Sequence, residues 1–467
     1  MTILSHGVGY PERLATPNTH HPTVGGGSAE AGGPVFGMSP EWLLDEHGVP
    51  VADALVLSHP EQYERLRAAC PEAAPTAVLA GDPCWDRMLA AGPYRDRFRR
   101  ALGIRAGQRL ALLNSTWNPE SLFGDGGDVL PSLLPRPASE FPADEYRFAA
   151  VLHPDSRHGH GPGQIRARLD RARRAGLAPI DPLHGWRQAP IAADAVIGDH
   201  GSVTCYAAAL GAPVLLGAAP LGGLAPEAPV HDFVRDAPRL DPASPLRPQV
   251  EAVARDHRSR PEPAGFISSV PGESATRLRQ LFYDVPGIPQ PDGPALLETL
   301  PLPPYEPPSR TVPLLVFTRL PGACEVDITR YAGPRPPADS TGEMHTAVHE
   351  DTRETHRLAL ADVVFRYGER DDARFGTPEL WTTEALALYP QCAPAAYVSG
   401  SAGCTVGTRD GELLWVRAEF GSDADPAVYA SALHAWLAAG KSLDEPVARG
   451  LTVRTGEAAH RATVTRR

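Results

Sequence analysis

The chain lacks the marks of several protein classes. Its six cysteines, Cys70, Cys84, Cys205, Cys324, Cys392 and Cys404, include no C-x-x-C pair. That removes the zinc knuckle and the thioredoxin-like dithiol. Single cysteines scattered through a large acidic chain read as reduced thiols of a cytosol. No stretch approaches the roughly 18–20 apolar residues of a membrane span, and no charged n-region followed by an apolar run opens the chain. The expectation is a cytoplasmic protein with no transmembrane segment, with peripheral membrane contact left open. Lysines are few, and 44 Lys and Arg face 56 Asp and Glu, a formal net charge of -12. This balance argues against a partner such as nucleic acid, which needs a basic surface. The local basic run of Arg166, Arg168, Arg171, Arg173 and Arg174 reads as a solvated helix face. His153, His158 and His160 stand close together in a Gly-Pro setting and make no convincing metal site, so neither metal nor cofactor is expected.

What is present points to an α/β protein. A length of 467 residues exceeds one core and implies two or three domains. An apolar share of 42% is ordinary for a globular chain. Residues 1–50 are rich in Gly, Pro and His and loop-like. From residue 51, short apolar runs suited to buried strands ("ADALVLS", "TAVLAGDP", "RLALLNSTW", "RFAAVLHP", "ADAVIGDHGS", "APVLLG") alternate with helical stretches. Each strand ends in a polar or Gly-rich turn. That alternation predicts a Rossmann-like, doubly wound parallel sheet over 51–285. Residues 286–313 are Pro-dense and read as a semi-rigid linker. Residues 314–467 read as a smaller C-terminal α+β domain, with strands at "LLVFTRL", "EVDITRY", "ADVVFRYG", "AAYVSGSAG" and "ELLWVRAEF". A helix is expected at "DPAVYASALHAWLAAG", with Asp425 as its N-cap.

Ligands of parallel sheets bind outside the carboxyl ends of the strands. There the segment 193–216 carries Gly198, Asp199, His200, Gly201 and Ser202 between a strand and a small-residue helix. A helix amino end offers unpaired N–H groups and a partial positive charge. Gly201 would let the backbone approach a ligand, and Ser202 would cap the helix or donate to phosphate. Together they suit a nucleotide diphosphate, although an ordinary strand-turn-helix has the same spacing.

This segment resembles the corresponding stretch of the CDP-glycerol glycerophosphotransferases, a GT-B family of the teichoic-acid polymerase type. Similar turns occur in UDP-sugar epimerases. Three more segments match in the same order: "VLAGDPCWDRML" with Gly81, Pro83, Asp86 and Leu89, "LALLNSTWNP", and "FAAVLHPDSR" with His153. A fifth, "ILSHGVGYPER", resembles the family's His-Gly turn. The resemblance implies a GT-B donor lobe over 51–285, with Gly81, Asp86, His153, Asp199, Gly201 and Ser202 lining the donor site. It implies His6 as general base for a hydroxyl acceptor; an imidazole with pKa near 6.5 suits that role. The implied activity is transfer from a nucleotide-diphosphate donor in cell-wall or surface polymer synthesis, without a bound metal. Cys84, Trp85 and Asn118 depart from the family pattern, Cys84 and Asn118 standing where it has arginines, so Arg87 and Arg157 are the candidate substitutes. His200 and Gly201 replace its Tyr and first Ser. The resemblance further implies that 1–50 is the last piece of an acceptor lobe, with three explanations open: a reading frame that starts too late, a partner that supplies the rest, or a protein that has become a binding module. A non-catalytic nucleotide-binding protein is the alternative. An epimerase would need a second cleft carboxylate that the sequence does not offer.

Overall fold

The computed structural model describes residues 1–4, 7–13, 33–124, 129–155, 161–258, 262–305, 310–401 and 403–467. Strands β1 (Thr2–Leu4), β2 (Ala54–Leu57) and β3 (Ala77–Leu79) form a parallel three-stranded sheet in that order. Strands β4 (Arg109–Ser115), β5 (Tyr146–Leu152), β6 (Ala178–Pro179), β7 (Ala195–Gly198) and β8 (Val214–Leu216) form a second, wholly parallel sheet. Its order is β6-β5-β4-β7-β8. β5 and β7 are buried throughout, as expected of strands covered by helices on both faces.

The sequence reading placed β2 and β3 in one sheet with β4–β8. Hydrogen bonding separates them. After β3 the helices Pro83–Ala91 and Arg95–Ala101 carry the chain across to the second sheet instead of back beside β3. Helix Ser274–Asp284 returns to the first sheet, where Leu278 and Leu281 pack on Ala54, Val56 and Ala80.

The C-terminal region is a closed barrel, which the α+β expectation did not foresee. Its strands are β9 (Leu314–Gly322), β10 (Glu325–Tyr331), β11 (Glu343–His349), β12 (Val363–Tyr367), β13 (Pro394–Val398), β14 (Gly403–Thr408), β15 (Leu413–Ala418), β16 (Leu451–Thr455) and β17 (Ala458–Arg466). They close in the order β10-β16-β17-β15-β14-β13-β12-β11-β9. Helix Ala427–Ala438 packs against β9, β10, β12, β13, β14 and β16, and so fills the barrel. Its Val428, Leu433 and Trp436 share one core with Val316, Val326, Phe365, Val406, Val416 and Val453. A helix apolar on all sides has to be buried all round, and closure removes the sheet's edges.

Asp425 is more than a cap. It accepts a hydrogen bond from the Ala427 amide at 3.2 Å, but the N-cap position is Pro426. Its carboxylate also takes Arg330 Nη2 at 2.9 Å and the Tyr367 hydroxyl at 2.8 Å. Arg330 binds Asp144, just ahead of β5, through Nε at 2.7 Å and Nη2 at 2.5 Å. Arg105 stands 3.7 Å from Asp144 and 3.8 Å from Asp425. This charged cluster joins the barrel to the second sheet. The Pro-rich stretch lies as a strap on the α/β part: Gln188 Nε2 donates to Pro301 O at 2.7 Å, and Arg87 Nε to Glu298 O at 2.9 Å. No helix among the described residues is long and apolar enough to cross a membrane.

Candidate functional site

In the second sheet the chain runs outward from β4 to β6, then returns to the other side of β4 for β7 and β8. The switch point lies between β4 and β7, where ligands of such sheets bind. Asp199, directly after β7, pins the two loops that meet there. Its Oδ2 accepts from the Thr116 amide at 2.9 Å and the Leu122 amide at 3.0 Å, and its Oδ1 from the Gly201 amide at 3.0 Å. The carboxylate is fully buried and occupied by backbone donors. Its work is to hold the turn in shape.

Gly201 is the N-cap of helix Ser202–Ala209 and brings no side-chain cap; its own amide goes to Asp199 and that of Thr204 to Gly201 O, which leaves the amides of Ser202 and Val203 for a ligand. Gly201 φ is an ordinary -71°. The reason for glycine is space: a Cβ would lie 2.9 Å from Thr116 Cβ. The close approach is to the β4 loop, not only to a ligand as the sequence suggested. Ser202 is the first helical residue instead of the cap. Gly7, with φ +73°, packs over it; a Cβ on Gly7 would lie 2.7 Å from Ser202 Oγ.

His200 is 2% exposed. Its Nε2 lies 2.8 Å from Asn118 Nδ2 and 3.6 Å from Glu12 Oε1. Burial lowers its pKa, but Glu12, as hydrogen-bond partner and charge, together with Asp199 and Glu120, outweighs burial and the net shift is upward.

The first sheet contributes Asp82, a residue the sequence reading passed over. It follows β3 and caps helix Pro83–Ala91, accepting from the Cys84 amide at 2.8 Å and the Trp85 amide at 3.2 Å. Its other oxygen accepts from the Gly7 amide at 3.0 Å and the Tyr206 hydroxyl at 2.6 Å. Tyr206 belongs to the helix that starts at Ser202, so Asp82 ties the two sheets together. Burial drives the Asp82 carboxyl and, more strongly, the Tyr206 phenol upward in pKa. The local signal was Asp before Pro at a helix start, an N-cap pattern.

The expected residues divide into groups. Asp199, Gly201 and Ser202 meet at the turn, with Gly7 against them. His6 lies outside the described residues, as do Arg157, His158 and His160. Gly81 and Asp86 gather where the chain returns at 268–274. Gly81 has φ +81° and faces Ser268 and Val270. Asp86 accepts from the Gly272 amide at 2.6 Å, the Ser274 amide at 3.0 Å and the Ser274 hydroxyl, and so holds the start of the returning helix. His153 directly follows β5, half-buried, its Nδ1 accepting from the Asp155 amide at 3.2 Å. Arg87 is engaged by the strap. No group of three or more His, Cys, Asp or Glu among the described residues is arranged to hold a metal ion.

No family model matches the chain, and no curated protein matches it in sequence. Solved structures match in part. The wall teichoic acid polymerase TagF aligns at 16% identity over 61% of this chain and 66% of its own, with a TM-score of 0.40. The Methanocaldococcus jannaschii UDP-GlcNAc 2-epimerase, in complex with UDP-GlcNAc and UDP, aligns at 13% identity over 50% of this chain and 61% of its own, TM-score 0.33. A glycosyltransferase from Rickettsia africae aligns at 11% identity over 51% of this chain and 63% of its own, TM-score 0.30. In each case the chain spans less than two thirds of the matched structure. These are partial likenesses of fold alone.

Proposed function

We propose that the Asp199–Ser202 turn binds the diphosphate of a nucleotide donor, and that the chain is a transferase of the glycerophosphotransferase or glycosyltransferase class. The supporting observation is the amino end of helix Ser202–Ala209, capped by a glycine at the switch point between β4 and β7. In this reading Asp199 shapes the turn and the free N–H groups with Ser202 take phosphate oxygens. The acceptor hydroxyl gives its proton to His6 as its oxygen bonds to the transferred group; the bond from that group to the nucleotide's phosphate oxygen breaks, releasing a nucleoside monophosphate in glycerophosphate transfer or a nucleoside diphosphate in glycosyl transfer. The choice of His6 as base rests on the resemblance of "ILSHGVGYPER" to the family's His-Gly turn. Positioning and charge stabilisation would supply most of the rate.

A second reading, nucleotide binding without transfer, is favoured by the Asp82–Tyr206–Gly7 network. Those buried bonds fasten the two sheets together at the seam a transferase would open. Cys84 and Asn118 in place of the family's arginines point the same way.

Calorimetry with CDP and UDP, followed by a radiolabelled-donor assay with glycerol-phosphate and sugar acceptors, separates the readings. Binding with sustained turnover that vanishes in His6→Ala supports transfer. Binding without turnover supports the second reading, and no binding of either nucleotide sinks both.

A further inference from the structure

Most buried or half-buried arginines of this acidic chain meet a carboxylate. Arg65 pairs with Glu61, Arg99 with Asp194, Arg136 with Glu140 and Arg330 with Asp144. Arg187 differs. It is half-buried and lies in the loop that leaves β6. Its guanidinium carbon stands 4.4 Å over the ring of Trp186, and its Nε donates to Cys84 Sγ at 3.2 Å. Sulfur is a weak acceptor. Among the described residues no carboxylate comes within ion-pair distance of Arg187, and neither Nη1 nor Nη2 has a hydrogen-bond partner. The side chain is thus held by a ring and a thiol, while Nη1 and Nη2 bond to no group of the described residues.

The place adds meaning to the vacancy. Cys84 lies in the first turn of helix Pro83–Ala91, whose cap Asp82 bonds Gly7 and Tyr206. The Tyr206 ring lies 6.1 Å from Trp186 and 6.1 Å from Trp85. Arg187 therefore stands at the seam between the sheets, its neighbour Trp186 against Tyr206 of the helix that begins at Ser202. A planar guanidinium fixed by stacking, with free Nη groups, matches the two oxygens of a phosphoryl group.

We infer that Arg187 is an anion-binding residue of the seam, set by Trp186 and Cys84 to take a phosphoryl group of the ligand. The inference rests on the nucleotide-binding reading above for which ligand carries that group, donor or phosphorylated acceptor. Its own basis is the unpaired guanidinium.

The test is calorimetry of wild type, Arg187→Ala and Arg187→Lys with CDP, UDP, uridine, pyrophosphate and glycerol 3-phosphate. Thermal unfolding of each variant serves as control. Arg187→Ala is expected to weaken phosphate-bearing probes about tenfold or more and to leave uridine unchanged. Lysine, which keeps the charge and loses the fork, should fall between. Loss confined to CDP and UDP assigns the donor, and loss confined to glycerol 3-phosphate the acceptor. If Arg187→Ala does not fold, the lysine variant carries the comparison. Variants that bind every probe as wild type, or lose uridine equally, overturn the inference while the nucleotide site stands. Arg187-dependent binding of pyrophosphate or glycerol 3-phosphate, with none of CDP or UDP, keeps the inference and removes the transferase reading. A wild type that binds none of the probes removes both.

Discussion

In the α/β part, Asp82, Asp86 and Asp199 are buried to 3% exposure or less, and backbone N–H groups are their main partners. At the joint with the barrel, Asp425 is as deeply buried and the Asp144 side chain is 7% exposed; Arg330 pairs with both, the Tyr367 hydroxyl donates to Asp425, and Arg105 stands close by. Both arrangements satisfy buried charge, but they do different work. A carboxylate on backbone amides fixes the path of a loop, so each of the three pins a turn or a helix start. A carboxylate on a guanidinium ties two distant elements, here the segment before β5 and the strand β10. The first kind builds a site; the second welds one body to another. Burial pushes Asp144 and Asp425 up and Arg330 down, yet mutual attraction wins, leaving both carboxyls below and the guanidinium above their ordinary values.

The weld should break hardest. Arg330→Met leaves Asp144 and Asp425 buried with much of their pairing lost, and a loss of about 3–5 kcal/mol is expected. Denaturant unfolding measures it. Limited proteolysis of this variant should also cut faster within 286–313, the boundary we propose. A loss under about 1 kcal/mol would mean that the cluster does not hold the joint.

Asp199→Asn tests the other kind. The amide keeps one acceptor oxygen and turns an NH2 toward donors, at a cost of about 2–3 kcal/mol. CDP and UDP binding should fall with it. A variant as stable as wild type, with nucleotide affinity intact, would show that the three backbone bonds do not shape the site.

Gly201→Ala is a smaller insult of the same kind. Its Cβ meets Thr116 Cβ at 2.9 Å, so overpacking of about 1–2 kcal/mol is expected. Adding Thr116→Gly should recover part of the loss in thermal unfolding. An equal loss with and without the second change would place the strain elsewhere.

The smallest effect should come from His200, in its ion pair with Glu12 at the turn. Its folded pKa is raised, so its contribution is full below the unfolded value near 6.5 and is lost as pH rises through the folded value. Stability of wild type minus Glu12→Gln, measured against pH, should narrow over that rise. A difference that grows with pH would contradict the sign.

Much of the site's local shape could be read from the chain. Residues 193–216 read as strand, turn and helix, and they are. The role given to Gly201 shifted because its nearest neighbour, Thr116, lies on another loop. Asp86 was placed with the donor residues by resemblance, and the structure sets it on the returning helix start at Ser274, 188 positions along the chain. In the barrel, the clearest unread sign was helix Ala427–Ala438, whose sequence has no polar face. The alternation of "LTVRTGEAAHRATVTR", which forms β16 and β17, also went unused.

The sequence by itself determined the short-range features: apolar runs that must be buried, glycine and proline turns that end them, and the helix starts at Pro83 and Ser202. Each depends on residues within a few positions of one another, so composition and spacing carry them. Only the tertiary structure decided that β2 and β3 leave the sheet of β4–β8, that nine strands close around a helix, and that Asp82 meets Tyr206 and Gly7. The bond from Tyr206 to Asp82 spans 124 positions, and that from Gly7 to Tyr206 spans 199. Such pairs form when whole elements pack, and no local pattern encodes which distant partner a buried polar group will find.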